Sequence, residues 1–304
     1  MSGDVKRSQT IGVAQALAGY GWWGFVTVLY YHWLKGIDSF ELVSWRVVSA
    51  IPVVFILIVA TNSFGEFKAS ILEWRNLRWL IVSALLILVN WLAFIWAVVS
   101  ENIIHASLGY YLNPLVSIAL SALILKERLR PAQWVSVGIA GIGVLLLTTM
   151  VGLPWIAITL GVTFPLYGLI RKKCPSSATV GLTVEMILLL PVMTVVLVWM
   201  TAQGGSAIQT GSTLQIALIP LSGIVTVIPL LCFSAAARRL RLSTVGMLQY
   251  IAPTGQFLSA VLFFGESMKP TWWIAFACVW VAILLFSGDS FLVSRKQNSL
   301  REND

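Results

Sequence analysis

Apolar residues fill long runs of this chain, and polar residues gather in the short stretches between them. A helix needs about 20 mostly apolar residues to cross the hydrocarbon core of a bilayer. The strands of a membrane barrel would alternate apolar and polar residues, and these runs do not alternate. The pattern therefore predicts ten membrane-spanning helices, at residues 11–33, 40–61, 77–99, 104–125, 131–149, 153–171, 179–201, 212–236, 242–264 and 270–290.

Composition supports a membrane location. The chain is 58% hydrophobic and only 11% charged, whereas a soluble domain carries about 25% charged residues. The first run follows the basic residues Lys6 and Arg7, as the apolar core of a secretory signal follows its basic segment. It is longer than a typical signal core, however, and nine more runs follow. We therefore expect an all-α polytopic membrane protein that keeps its first span. The spacing of the three cysteines indicates neither a disulfide framework nor a metal site.

The basic residues fall on alternate connections. Of the 20 lysines and arginines, 17 lie in the terminal segments and the even-numbered connections, while Lys35 and Lys269 lie on the other side and Arg46 lies inside a span. Cytoplasmic loops carry this excess of positive charge. We therefore expect short cytoplasmic tails at 1–10 and 291–304. The net charge of +8 then reflects topology, and no nucleic-acid partner is expected.

The chain contains an internal repeat. Its two copies, at residues 11–149 and 153–290, hold five predicted spans each, so the second copy enters the membrane from the opposite side. Inverted repeats are a recurrent architecture of secondary transporters that work by alternating access. Channels also contain repeats, so a channel-like facilitator is the alternative. The repeat appears as identities at a gapless shift of 139 residues: Phe94/Phe233, Tyr111/Tyr250, Pro114/Pro253, Glu127/Glu266, Pro131/Pro270, Trp134/Trp273 and Pro52/Pro191.

Prolines inside the spans indicate where a site lies. Pro114 and Pro253 interrupt the hydrogen bonding of the fourth and ninth spans, and Pro52 and Pro191 do so in the second and seventh. A carbonyl freed in this way needs a partner or a water-filled cavity. We predict hinges at these prolines and a central substrate cavity; helix packing with interhelical hydrogen bonds is the alternative. The cavity residues predicted are Trp22, Trp91, Ser107, Tyr110, Tyr111, Asn113, Gln249 and Tyr250.

Two ionisable residues occupy equivalent positions inside the membrane, Arg46 in the second span and Glu185 in the seventh. Such residues are costly in lipid and usually face the bundle interior. We expect them on opposite sides of one cavity, where Arg46 would hold an anionic group and Glu185 a cationic group or a proton. The alternatives are snorkelling for Arg46 and a structural hydrogen bond for Glu185. The pair hints at a zwitterion such as an amino acid; no cofactor is expected, and proton coupling is unproven.

Other polar and small residues have structural explanations. Glu127 and Glu266 each precede a proline that opens a helix, where a carboxylate favours the helix N-terminus. Gly138, Gly141 and Gly143 predict close helix packing within the chain, and a dimer interface is the alternative. A monomer and a homodimer thus both remain open.

An enzyme is not expected. The four aspartates lie at the termini or the edges of spans, and the two histidines lie near the outer ends of spans and belong to no metal-binding motif.

Several segments resemble the RarD subfamily of EamA-domain proteins, in the drug/metabolite transporter superfamily. They are NWLAFIWAVV at 90–99, ASLGYYLNPL at 106–115, YGLIRKK at 167–173 and E-R-x-x-x-x-Q-W at 127–134. Arg46 and Glu185 match an arginine and a glutamate associated with spans 2 and 7 of that group. The resemblance covers essentially the whole chain. It implies two inverted five-helix repeats in the bacterial inner membrane that move small molecules. The chloramphenicol-sensitivity label of this subfamily does not establish a substrate.

Overall fold

The computed structural model describes residues 2–99, 103–151, 155–264 and 270–302, and every regular element in these ranges is a helix. In chain order they are α1 (Ser2–Gly21), a π-helical turn (Trp22–Val26), α2 (Thr27–Trp33), α3 (Ser39–Val48), α4 (Ala50–Ala60), α5 (Phe64–Leu72), α6 (Trp74–Val99), α7 (Ile103–Leu123), α8 (Pro131–Val151), α9 (Trp155–Lys173), α10 (Ala178–Ala202), α11 (Ala207–Thr210), α12 (Thr213–Leu218), a 3₁₀ turn (Ile219–Leu221), α13 (Ser222–Arg239), α14 (Leu242–Gln249), α15 (Ile251–Phe264) and α16 (Pro270–Glu302).

The all-helical fold agrees with the sequence. Within the described ranges, four stretches are both long and apolar enough to cross a membrane: Ser39–Ala60, Trp74–Phe94, Ala178–Ala202 and Thr213–Arg239. The other predicted spans also overlap helices within the described residues. That all ten runs cross the bilayer remains a prediction.

Three of the predicted spans are interrupted among the described residues: the eighth by the 3₁₀ turn that contains Pro220, and the second and ninth at a single residue near a proline. The second span breaks at Ser49, three residues before Pro52, and the ninth breaks at Tyr250, three residues before Pro253. A proline cannot donate a hydrogen bond to the turn before it, so that turn loosens. In contrast, α7 runs through Pro114 and α10 runs through Pro191. Each interrupted span therefore has an uninterrupted partner at the 139-residue shift.

The two chain halves pack on each other through equivalent helices. α6 of the first half packs on α9 of the second, and the equivalent α13 of the second half packs on α1 of the first. α7 likewise packs on α9, while α15 packs on the π-helical turn that continues α1. The remaining large contacts join a helix of one half to its counterpart: α3 and α4 with α10, α7 with α14, and α8 with α16.

The glycines of α8 do not all serve internal packing. A Cβ atom added at Gly138 or at Gly141 would meet nothing within 4 Å, whereas Gly143 is buried. The expectation of close internal packing is therefore wrong for Gly138 and Gly141, because both point away from the neighbouring helices described. Whether a second copy covers this face stays open.

Glu127 contributes to helix capping, but not of the helix that the sequence indicated. Its carboxylate accepts hydrogen bonds from the backbone N–H groups of Leu242 and Ser243, at 2.9 and 3.3 Å, and from the Ser243 hydroxyl at 2.7 Å. It thus caps α14 of the other half, while Pro131 opens α8 as expected. Glu266 lies outside the described residues.

Candidate functional site

Arg46 lies on α3, which packs on α6 and α13. Its Nε donates to Thr226 Oγ1 at 3.0 Å, and its guanidinium carbon lies 4.6 Å from the Trp91 ring centroid and 5.8 Å from that of Tyr31. Within the described part of the chain, no carboxylate lies within ion-pair distance of this guanidinium. Arg46 is thus half-buried and directed at aromatic neighbours, and it lacks a described protein counter-ion.

Three polar atoms on the first span lie on successive turns, and the last of them belongs to Tyr31, whose ring lies against this arginine. The turn at Trp22–Val26 is π-helical, so the Thr27 backbone N–H donates to the carbonyl of Trp22. Thr27 therefore lies one helical turn after Trp22. Tyr31 follows one α-helical turn later, against Arg46. Trp22 Nε1, Thr27 Oγ1 and the Tyr31 hydroxyl are all buried, and none has a hydrogen-bond partner among the described residues. Such buried groups in native proteins call for an explanation.

Among these neighbours the sequence predicted Trp22 and Trp91 but missed Thr27, Tyr31 and Thr226. A π-helical turn leaves no clear mark in a run of apolar residues, so the alignment of Thr27 with Trp22 could not be foreseen. The ring of Tyr110, also predicted, lies 5.9 Å from the Phe94 ring. The side chain of Ser107 lies outside the described residues.

The other predicted cavity residues meet where α7 packs on α14. With the Asn113 amide oriented to satisfy its neighbours, its oxygen accepts from Gln249 Nε2 at 2.9 Å and its nitrogen donates to the Leu160 carbonyl at 2.9 Å. Tyr111 and Tyr250 are buried with ring centroids 6.3 Å apart. These are interhelical packing contacts, the alternative that the sequence left open, and a substrate-binding role for them stays a prediction.

Glu185 belongs to a separate and fully buried cluster. Its carboxylate accepts from the Ser83 hydroxyl at 2.5 Å and from the Tyr167 hydroxyl at 3.1 Å, and it lies 3.6 Å from Arg171 Nη1. Both charged side chains are 0% exposed. The cluster joins α6, α9 and α10. We name these four residues, Ser83, Tyr167, Arg171 and Glu185, the polar lock.

Arg171 is the member that the sequence did not single out. It begins the basic run Arg171–Lys173, so nothing distinguished it from loop cations. The structure turns it inward, where Nη2 donates to the carbonyls of Ser177 and Ala178 at 3.1 and 3.2 Å. Gly181 makes room for it, because a Cβ atom there would overlap the guanidinium.

An aromatic cluster lies between the π-helical turn and the polar lock. Trp23 contacts Phe164 with ring centroids 5.7 Å apart, and Phe164 contacts Phe233 at 4.9 Å. Tyr167, a member of the polar lock, stacks on Phe233 at 5.8 Å. We name the rings of Tyr20, Trp23, Phe164 and Phe233 the aromatic plug.

Further contacts tie the helices at the end where α9 and α13 finish in basic residues, which we name the basic end. Lys172 donates to the carbonyl oxygens of Ala237 and Leu240. Arg238 donates to the carbonyl oxygens of Cys174 and Ser176. α9 and the start of α10 are thus joined to α13 at the basic end.

Arg46 and Glu185 do not share one contact site. Ser44, close to Arg46 on α3, contacts Met193 of α10. Met193 and Glu185 are eight residues apart on the same helix, which corresponds to about 12 Å along its axis. The aromatic plug and the polar lock lie on the Glu185 side of this interval, toward the basic end. The two charges are therefore not in contact, and their predicted positions on opposite sides of one cavity stay a prediction.

Comparisons with known proteins identify the family. The EamA-like transporter family matches residues 10–149. Protein RarD of Escherichia coli (strain K12) is 40% identical over 295 residues, which cover 96% of this chain and 99% of that protein. An uncharacterized transporter of Vibrio cholerae is 38% identical over 287 residues, covering 94% and 93%. A crystal structure of another protein matches with a TM-score of 0.70 at 18% identity, over 92% of this chain and 97% of that one, which shows a shared fold alone.

The helical fold with intramembrane charges and these relatives define a multi-pass membrane protein of the transporter class. The chain belongs to the EamA-like transporter family of the drug/metabolite transporter superfamily, as a RarD-type protein.

Proposed function

We propose that the protein is a secondary transporter that moves a small metabolite or drug-like molecule across the bacterial inner membrane by alternating access. The carrying observation is Arg46, a half-buried cation in an apolar helix with aromatic neighbours and no described counter-ion. Burying an arginine at the centre of a membrane helix costs at least about 2.5–3.5 kcal/mol. Binding of the transported molecule explains why the protein keeps an arginine at this position despite the cost.

Contacts toward the basic end support the alternating-access part of the proposal. The polar lock and the aromatic plug lie between Arg46 and the basic end, and the contacts of Lys172 and Arg238 join helices at the basic end itself. The basic end is the predicted cytoplasmic side, because cytoplasmic loops carry the positive excess. In this proposal the described conformation is closed to the cytoplasm. Release of substrate there requires the polar lock and the aromatic plug to separate.

The relation between the halves also supports exchange of conformations. The contact of α6 with α9 recurs as that of α13 with α1, yet the breaks at Ser49 and Tyr250 have no counterpart in α10 and α7. Two similar units in different conformations can interchange them, which moves the opening from one side to the other. Phe233, in the aromatic plug, corresponds at the 139-residue shift to Phe94, which contacts Tyr110 beyond Arg46. Phe94 is then the expected plug of the opposite side.

A ligand-stabilisation screen followed by transport assays tests the proposal. Purified protein is screened by thermal unfolding against amino acids, nucleosides, vitamins, organic acids and chloramphenicol, because a ligand that binds only the folded state raises the unfolding temperature. Hits are then loaded into proteoliposomes. We expect saturable uptake that unlabelled substrate on the opposite side accelerates. Unsaturable conduction would instead support a channel, and a hit that is chemically converted without crossing would support an enzyme.

Arg46→Ala provides the matched variant. It removes the intramembrane cation, and we expect uptake to fall to background while the protein still inserts and remains monodisperse. Arg75→Ala is the control, because Arg75 is exposed at the start of α6. Equal loss of uptake in both variants would indicate a general defect, and full uptake in Arg46→Ala would refute the assigned site.

A further inference from the structure

The chemistry around Arg46 indicates which class of molecule the site takes. This inference rests on the proposed transport function. We infer that the site binds a small organic anion through a planar oxyanion, a carboxylate or a phosphate. Among the described residues, no carboxylate beside Arg46 balances a second, cationic group. The bound anion lies against the edge of the Arg46 guanidinium. Aromatic side chains of the first and third spans hold its apolar part.

The first observation is the way Arg46 is held. Trp91 and Tyr31 lie against the guanidinium, and Nε is occupied by Thr226. No described hydrogen bond uses Nη1 or Nη2. These two nitrogens form the fork that binds a carboxylate or phosphate with two parallel hydrogen bonds. The contacts thus fix the direction of the guanidinium and leave its anion-binding atoms available.

The second observation is the row of Trp22 Nε1, Thr27 Oγ1 and the Tyr31 hydroxyl. An indole N–H can only donate, while the two hydroxyls can donate as well as accept. A buried donor without a partner costs about 1–3 kcal/mol. An oxyanion accepts several hydrogen bonds at once, so a ligand held by Arg46 can also accept from the Tyr31 hydroxyl, the member of the row that lies against the arginine.

The third observation is that the nearby carboxylates are engaged elsewhere. Glu41, on the same helix as Arg46, accepts from the Ser206 hydroxyl at 2.6 Å and from the Ala207 N–H at 2.9 Å. Glu185 is held in the polar lock by Arg171. Among the described residues, no carboxylate therefore remains beside Arg46 to bind an ammonium group. This contrasts with the zwitterion that the sequence suggested from Arg46 and Glu185 together.

A set of compounds with one skeleton separates the ligand classes. The probes are 3-phenylpropionate with a carboxylate alone, phenethylamine with an ammonium alone, phenylalanine with both, and 2-phenylethyl phosphate. The phenyl group suits the aromatic side chains at the site. Dissociation constants are measured on the full-length purified protein by thermal shift and by quenching of intrinsic tryptophan fluorescence, at constant ionic strength.

We expect 3-phenylpropionate to bind, phenylalanine to bind no more tightly, and phenethylamine not to bind. Tighter binding of 2-phenylethyl phosphate would identify the oxyanion as phosphate. Failure of both anions to bind overturns the inference. So does binding of phenethylamine, or binding of phenylalanine alone, which would identify a zwitterion site.

Variants assign the binding to these residues. Arg46→Gln should abolish binding of the anion, and Arg46→Lys, which keeps the charge but loses the fork, should weaken it at least tenfold. Tyr31→Phe removes one hydroxyl without disturbing packing and should weaken binding several-fold, which guards against misfolding of the arginine variants. Arg75→Gln is the exposed control and should bind as wild type does. Unchanged affinity in Arg46→Gln overturns the inference.

The result of the anion-binding experiment can be distinguished from the result of the transport experiment. Anion binding without uptake into proteoliposomes would refute the proposed function but keep the anion site. Saturable uptake of a cation or a neutral molecule that does not depend on Arg46 would do the reverse.

Discussion

At the scale of single residues, the burial of one arginine is the largest difference between expectation and structure. Arg171 stands in a basic run that any topology rule assigns to a loop. It lies instead at 0% exposure beside Glu185, because the last turn of α9 faces the start of α10. Glu185 accordingly has the structural partners that its alternative interpretation required. A proton-coupling role for it remains a prediction.

Gly181 tests whether this arrangement depends on space for the guanidinium. Gly181→Ala adds a Cβ atom that overlaps Arg171, so the guanidinium must move away from Glu185. Disrupting a buried ion pair costs about 3–5 kcal/mol, and we expect a clear fall in the unfolding temperature of purified protein. Gly138→Ala is the matched control, since its Cβ atom meets nothing. Equal unfolding temperatures for the two variants would show that Arg171 is not packed as described.

The Arg171–Glu185 pair itself should behave as a coupled unit. Removing one partner leaves a buried charge, whereas removing both leaves none. We therefore expect Arg171→Met and Glu185→Leu each to destabilise the protein strongly, and the double variant to be more stable than either. A double-mutant cycle of unfolding free energies measures this coupling. Additive single effects would contradict the ion pair.

At the scale of elements, close contacts between helices determine where the site residues point. The π-helical turn crosses α15 with very little space: a Cβ atom at Gly24 would lie 3.0 Å from Gly255 Cα, and one at Gly255 would lie 2.9 Å from Gly24 Cα. Small residues permit such backbone contact between membrane helices. This crossing holds the turn that aligns Trp22 with Thr27.

Gly255→Ala should therefore push α15 away from the π-helical turn. We expect a lower unfolding temperature and weaker binding of whichever ligand the stabilisation screen identifies, because the Trp22–Tyr31 row loses its alignment. Gly21→Ala lies one residue before the same turn, yet its Cβ atom would meet nothing within 4 Å. If Gly21→Ala and Gly255→Ala had equal effects, helix propensity rather than the crossing would be the cause.

The elements also show the limit of reading hydrophobic runs. The runs predicted the long helices, and the prolines predicted weak points. They did not predict α5, a short helix between the second and third spans, because it is too short to stand out beside membrane spans. Nor did they predict that Pro52 and Pro253 interrupt their helices while Pro191 and Pro114 do not. Proline weakens a helix at one place, and the neighbouring helices decide whether it breaks.

At the scale of the whole molecule, alternating access predicts two equivalent plugs on opposite sides. The native Cys174, Cys232 and Cys278 are first replaced by alanine, and Thr27→Cys then reports access of water-soluble thiol reagents. We expect Phe233→Ala to increase labelling from the cytoplasmic side and Phe94→Ala to increase it from the outside, measured in vesicles of both orientations. Phe55→Ala, at a side chain 57% exposed, should change neither. An increase from the same side in both plug variants would contradict the inverted relation.

The sequence by itself determined the membrane class, the helical fold and the family. It also determined which charged residues lie inside apolar runs, where a charge is energetically costly. It could do so because apolar length, charge distribution and intramembrane charge are properties of segments, which need no knowledge of neighbours. Arg46 and Glu185 were singled out in this way.

Only the tertiary structure decided how these residues are grouped. Helix rotation and crossing, which depend on side chains far apart in sequence, turn Arg171 toward Glu185 and align Thr27 and Tyr31 near Arg46. In an apolar environment an ion pair or an unpaired donor is defined by contacts within a few ångströms. Those contacts separate Glu185 from Arg46, and they leave Arg46 without a described counter-ion beside a row of unpaired polar groups.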